Sequence, residues 1–141
     1  MTLRARGFTL LELMIVLAIG ATLAAFAVPS YFNQVVQAHR MEAVAALYRA
    51  AQFLESNAGN AGEGLPGGLD QAPSVGTAVY RLRVVPADVP GGDYVLEAQP
   101  VESGPMHADA CGVFVLDASG QRSNRDGNLA GAGARTCWST R

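Results

Sequence analysis

The stretch from Phe8 to Val28 holds 21 residues with a single charge among them, Glu12. No other feature limits the fold as much. At 1.5 Å per residue a helix of that length spans roughly 31 Å, about one bilayer core. An ordinary secretory signal is one reading, with Arg4 and Arg6 as its positive end and Ala25-Phe26-Ala27 as an A-x-A cleavage site. A plain transmembrane anchor with its basic end in the cytoplasm is another. Neither accounts for Glu12, because an acid placed centrally in such a run weakens insertion by roughly 2.5 to 3.5 kcal/mol on translocon scales. An ionisable residue in a membrane segment is by default functional and needs a partner. Cleavage between Gly7 and Phe8 would set a new α-amino group four residues from Glu12. In a helical assembly, a neighbouring subunit's amine can then meet this carboxylate.

The chain of 141 residues has room for one modest domain beside this element, and not for two cores. Its basic residues are all arginine, ten against twelve acids, so no overall positive field draws in nucleic acid or an anionic surface. Loss of a leader carrying Arg4 and Arg6 leaves eight Arg against twelve acids, a balance of −4. Any polyanion binding has to be local. Cys111 and Cys137, with 25 residues between them, fit neither CxxC redox chemistry nor a four-ligand zinc site. A disulfide in an oxidising compartment is the expected state, and two buried free thiols are the alternative.

The short basic leader ending in Gly7, followed by FTLLELMIVLAIGATLAAFAVPSY, closely resembles the class III signal of type IV pilins and related pseudopilins. Several parts coincide: the leader, the Gly-Phe junction, the acid at the fifth mature position and the apolar run. The resemblance implies that a prepilin peptidase cleaves after Gly7 on the cytoplasmic side and N-methylates Phe8. It also implies that Glu12 is needed for docking into a growing filament.

Pro29 lacks an N–H and predicts a kink or loosening near Ala25 to Pro29 without ending the helix. Beyond it, Val44, Leu47, Tyr48, Ala51 and Leu54 form one helical stripe, with Glu42, Ala46 and Arg49 facing away. The many Ala residues suit close helix approach, or are present simply as good helix formers. The pilin resemblance implies one spine from Phe8 to Asn57, roughly 75 Å if straight.

NAGNAGEGLPGGLDQAPS, Asn57 to Ser74, predicts a helix stop followed by a surface connection. Strand-like runs follow: AVYRLRVV (Ala78 to Val85), DYVLEAQP (Asp93 to Pro100) and CGVFVLD (Cys111 to Asp117). Alternation sets Tyr80, Leu82 and Val84 against Arg81 and Arg83, and Tyr94, Leu96 and Ala98 against Val95, Glu97 and Gln99. An antiparallel meander covered by the helix stripe is the smallest packing solution. DASGQ predicts a hairpin turn and Gln121 the start of a short fourth strand. The Gly-rich tail needs the Cys111 to Cys137 staple, with Trp138 either packed beneath it or exposed as a contact residue.

The predicted fold is therefore α+β and pilin-like: a long N-terminal helix on a small antiparallel sheet head with a C-terminal disulfide loop. Residues 1–7 form the leader, 8–29 the membrane and assembly half of the helix, 30–57 the amphipathic half and 58–141 the head. Within the head, strands occupy 78–117 and the disulfide loop 111–137. CGVFVLDASG followed by a late CW most resembles the PilE-type minor pilins.

No nucleophile, base and orienting group come together in a motif, and no cofactor or catalytic role is expected. His39 and His107 read as solvated, and His107 with Asp109 lacks the further ligands of a metal site. Nucleic acid is the sharper alternative, since some minor pilins of this layout bind DNA for uptake. Arg81 and Arg83 share a strand face, and Arg122, Arg125 and Arg135 lie in the tail. Against a basic stripe, residues 58–141 carry six Arg and nine acids.

The resemblance implies a minor structural subunit of a type IV pilus, held in the inner membrane with its head in the periplasm before assembly and displayed on the cell surface afterwards. Its partners would be other pilins, the prepilin peptidase and the inner-membrane assembly platform with its cytoplasmic ATPase. It would support assembly, adhesion or twitching motility. A DNA-binding uptake pilin is the alternative. A type II secretion pseudopilin is a further one, disfavoured by the disulfide loop and the lack of an acidic calcium loop.

Overall fold

The computed structural model describes residues 7–57, 64–86, 94–128 and 134–139. Arg4 and Arg6 of the leader, the connection from 58 to 63, Asp93 and tail residues 129–133 lie outside them. The chain divides into two compact units, with the boundary between Val35 and Val36. Helix α1, Leu10–Ser56, belongs to both and continues through Pro29.

In the first unit every residue from Gly7 to Asn33 is exposed, including Phe8, Leu11, Ile15 and Phe26. The helix is long and apolar enough to cross a membrane. Its first turn is capped by Thr9, whose Oγ1 accepts the N–H of Glu12 at 3.2 Å. Thr9 and Glu12 have the T-x-x-E spacing of a capping box, and an acid in the first turn also complements the helix dipole.

In the second unit, β1 (Gln71–Ala72), β2 (Tyr80–Val85), β3 (Val95–Pro100), β4 (Val113–Asp117) and β5 (Arg122–Arg125) form one antiparallel sheet in chain order. A single helical turn, α2 (Ala134–Cys137), follows. Ala43, Val44, Ala46, Leu47, Ala50, Ala51 and Leu54 of α1 share one core with Tyr80, Leu82, Leu96, Ala98, Phe114 and Leu116. Their spacing of i, i+1, i+3, i+4, i+7, i+8 and i+11 is one wide helical stripe.

That stripe corrects the sequence expectation at two positions. Ala46 is buried rather than facing away, and Tyr48 stands 42% exposed at the rim. The buried arc is centred on Leu47 and Leu54, with alanines on its flanks. Small side chains bring the helix close to the sheet, and a tyrosine does not fit there.

The connection expected at the surface is also partly drawn in. Ala72 is fully buried, the carbonyl of Ala72 accepts the N–H of Val79 and that of Asp70 accepts the N–H of Leu82, each at 2.8 Å. The open edge of β2 has donors to satisfy, and this segment supplies the acceptors. The Ala72–Pro73 peptide bond is cis.

The expected turn and fourth strand are both present. The Asp117 carboxylate accepts from the Ser119 hydroxyl at 2.6 Å and from the amides of Ser119 and Gln121 at 2.9 Å, closing the β4–β5 hairpin. The Ser119 hydroxyl, followed by the Gln121 amide, holds this carboxyl below the usual range.

Cys111 and Cys137 are joined, which staples α2 to the approach of β4. Trp138 is packed, 8% exposed, with its ring 5.3 Å from Phe114 and its Nε1–H donating to Asn124 Oδ1 at 2.8 Å. The backbone beside the bridge crosses closely. A Cβ at Gly112 would meet the Arg125 carbonyl and the Gly127 amide, and one at Gly127 would meet the Ala110 carbonyl, so only glycine fits at either position.

Candidate functional site

The five arginines singled out from the sequence do not form one stripe. In the antiparallel register, residues directly opposite share a face. Tyr80, Leu82, Leu96, Ala98 and Phe114 face the helix, so Arg81 and Arg83 point the other way. Arg125 pairs with Val113 and lies on this outer face as well. Arg122 and Asn124 oppose Leu116 and Phe114, and so lie on the helix side of the sheet.

The outer face is organised by a residue whose role the sequence did not disclose. Glu97, on central strand β3, is only 2% exposed although it points away from the helix. Its Oε2 accepts from Arg83 Nε at 2.7 Å and forms an ion pair with Arg83 Nη2 at the same distance. Its Oε1 forms an ion pair with Arg125 Nη2 at 2.5 Å. The guanidiniums themselves stay accessible, with 56% of the Arg83 and 51% of the Arg125 side chain exposed. Arg81 flanks them on the β1 side, 3.4 Å from Gln71 Oε1 and 3.9 Å from Asp70. Asp126 lies 3.6 Å from Arg125 Nε on the other side. Cross-strand register was the missing signal, because Glu97 stands opposite Arg83 only once β2 and β3 are paired.

Arg122 and Arg135 form a second group. The Arg122 guanidinium lies 5.9 Å from the Tyr48 ring centroid and 6.0 Å from that of Trp138, a cation–π arrangement with two aromatic rings. With Arg135, Trp138 and Ser139 it lines a cleft of about 320 Å³. Among the described residues no carboxylate lies within ion-pair distance of Arg122 or Arg135.

Asp109, weighed beside His107 as a metal ligand, is otherwise engaged. Arg40 of α1 grips its carboxylate through Nε at 3.1 Å and Nη2 at 2.5 Å, while His107 Nδ1 sits 3.0 Å from the Gly104 carbonyl. A smaller cleft of about 260 Å³, lined by Gln99, Glu102, His107, Gly112 and Asp126 among others, bears acids and no arginine. Neither cleft brings a nucleophile and base together.

Residues 29–115 match the family described as "Type IV minor pilin ComP, DNA uptake sequence receptor". The chain belongs to this family of type IV minor pilins. Residues 2–28 match the prokaryotic N-terminal methylation motif, which meets the expectation drawn from the Gly7-Phe8 junction and the apolar run. The ComP match takes in Arg81, Arg83 and Glu97 and ends before Arg122, Arg125 and Arg135. Pilins are structural proteins rather than an enzyme class, and membership implies assembly with other pilins and processing by a prepilin peptidase.

Proposed function

We propose that this ComP-family minor pilin receives duplex DNA at the surface of a type IV pilus. One observation carries the reading: the family that it matches over residues 29–115 is described as a DNA uptake sequence receptor. The geometry supports it with guanidinium groups on the outer sheet face, Arg81, Arg83 and Arg125, each with more than half of its side chain exposed. Arginine forks match phosphate oxygens, and each phosphate neutralised releases counterions, which offsets the mild negative charge of the whole head. DNA binding thus moves ahead of adhesion and motility, which the sequence alone had favoured.

The test uses the full chain in nonionic detergent with a fluorescent duplex across a salt series. Binding that weakens linearly in log–log form is expected, with the salt slope falling by about 1 for each arginine that contacts a phosphate when it is replaced by Ala. No binding at low salt, or binding indifferent to loss of all five arginines, overturns the reading.

Assembly is the second reading, and it is compatible with the first. The methylation motif and the uncovered apolar helix favour it. After cleavage at Gly7 and N-methylation of Phe8 by the prepilin peptidase, Glu12 pairs with a neighbour's terminal amine as the subunit leaves the inner membrane through the assembly platform. Mass spectrometry should find methylated Phe8 at the mature terminus. Glu12→Ala should be processed and membrane-inserted yet missing from sheared filaments, and its normal incorporation refutes the pairing.

A further inference from the structure

We infer that Glu97 is a positioning residue, which binds no ligand itself but holds Arg83 and Arg125 as a preorganised pair for one phosphate group of a nucleic-acid backbone. The inference rests on the DNA-receiving reading and adds to it a residue that carries the wrong charge for a DNA contact.

Placement is the first argument. Arg83 is on β2 and Arg125 on β5, with β3 and β4 between them, so their backbones are three strand spacings apart, roughly 14 Å. Their guanidiniums nevertheless converge on the two oxygens of one carboxylate. Free arginine side chains carry large rotamer entropy, and a phosphate that had to gather both would bear the cost of ordering them on binding. Glu97 bears it on folding.

Charge and donor count are the second. Two cations share Glu97, and Asp126, 3.6 Å from Arg125 Nε, brings the group to neutrality, so what it offers an anion is directed donors rather than net charge. Each guanidinium has five N–H donors. Arg83 turns Nε and Nη2 toward Glu97, and Arg125 turns Nη2 toward Glu97 with Nε 3.6 Å from Asp126, which leaves further donors on each half-exposed side chain to face an anion. The third argument is energetic. A buried ion cluster is often no more stable than apolar residues of like volume, so stability alone gives little reason for a carboxylate beneath a solvent-facing sheet.

The test is binding of the labelled duplex to full-length protein in nonionic detergent, comparing the unaltered chain with Glu97→Gln. Simple electrostatics predicts tighter binding, because a negative charge is removed. Positioning predicts the opposite, a weakening of roughly ten-fold, the value of one charge-assisted hydrogen bond. The same substitution made in an Arg83→Ala plus Arg125→Ala background should change nothing. A purely structural role would weaken binding there too.

Near-UV circular dichroism of Trp138 checks the fold. Should Glu97→Gln lose that signal, Arg83→Lys with Arg125→Lys decides instead. These variants keep both charges and lose the forks, so weaker binding supports the inference and unchanged binding overturns it. If the unaltered protein binds no duplex, the DNA reading fails and takes this inference with it. If it binds and Glu97→Gln binds equally well or better, only this inference fails.

Discussion

Reduction of the Cys111–Cys137 bridge should loosen the head at a place its single tryptophan can report. The cysteines are 26 residues apart in sequence. Opening a loop of that size gives the unfolded chain entropy worth about 3.5 kcal/mol at 25 °C in the chain-entropy model. Trp138 is next to Cys137, nearly buried, and held by Phe114 and Asn124. Its fluorescence therefore reads the staple directly. Urea unfolding of the full chain in nonionic detergent, with and without a phosphine reductant, should show the midpoint falling by more than about 1 M on reduction. The denaturant slope should rise, because an uncrosslinked unfolded chain exposes more surface. Trp138 emission should shift to the red before the main transition, since α2 is only one turn and Cys137 and Trp138 are the only buried residues among those described from 122 to 139. Equal midpoints for the oxidised and reduced proteins, with both thiols shown free by labelling, would refute the reasoning. The tail would then be held by packing alone.

Three further outcomes follow from buried groups. Arg40→Ala leaves the Asp109 carboxylate, 6% exposed, without its cation and should cost about 3 kcal/mol, the lower end for breaking a buried pair because Arg40 is itself 22% exposed; a loss under about 1 kcal/mol in urea unfolding would contradict this. The Tyr80 hydroxyl is buried with no hydrogen-bond partner among the described residues, so Tyr80→Phe should leave stability unchanged or raise it by up to about 2 kcal/mol. Burial first, then the Asp109 charge, with Arg40 opposing, raises the Tyr80 pKa above the ordinary phenol value of 10.0. The unfolded chain therefore gives up this proton first, so the stabilisation is complete below pH 10 and declines above it. Tyr80→Phe should remove that share of the alkaline decline, which unfolding at pH 8 and pH 11 can measure.

Much of the fold could be read along the chain because single elements carry their own period. The alternation of Tyr80 and Leu82 with Arg81 and Arg83 is a property of β2 by itself, and it matches the observed faces. Asp117, Ser119 and Gly120 make their turn through local hydrogen bonds, so DASGQ was legible too. The helix stripe was legible in kind but misplaced around its axis. The same 3.6-residue period accommodates Tyr48 or Ala46 on the buried side, and only the closeness of the sheet decides for alanine.

By itself, the sequence determined the elements whose causes are local. An apolar run with no partner core has to satisfy its backbone internally and is therefore a helix. Alternating strands must show one face to a core, and two cysteines whose spacing fits neither a CxxC motif nor a zinc site are natural partners. Tertiary structure alone decided which distant residues meet. β1 joined the sheet because the edge of β2 left donors unmet, the five arginines parted onto two sides, and Glu97 came to lie beneath two of them. The physical reason is register. Periodicity tells a residue which way to point, but its neighbour across the sheet is set by how strands far apart in sequence align, and no local pattern encodes that.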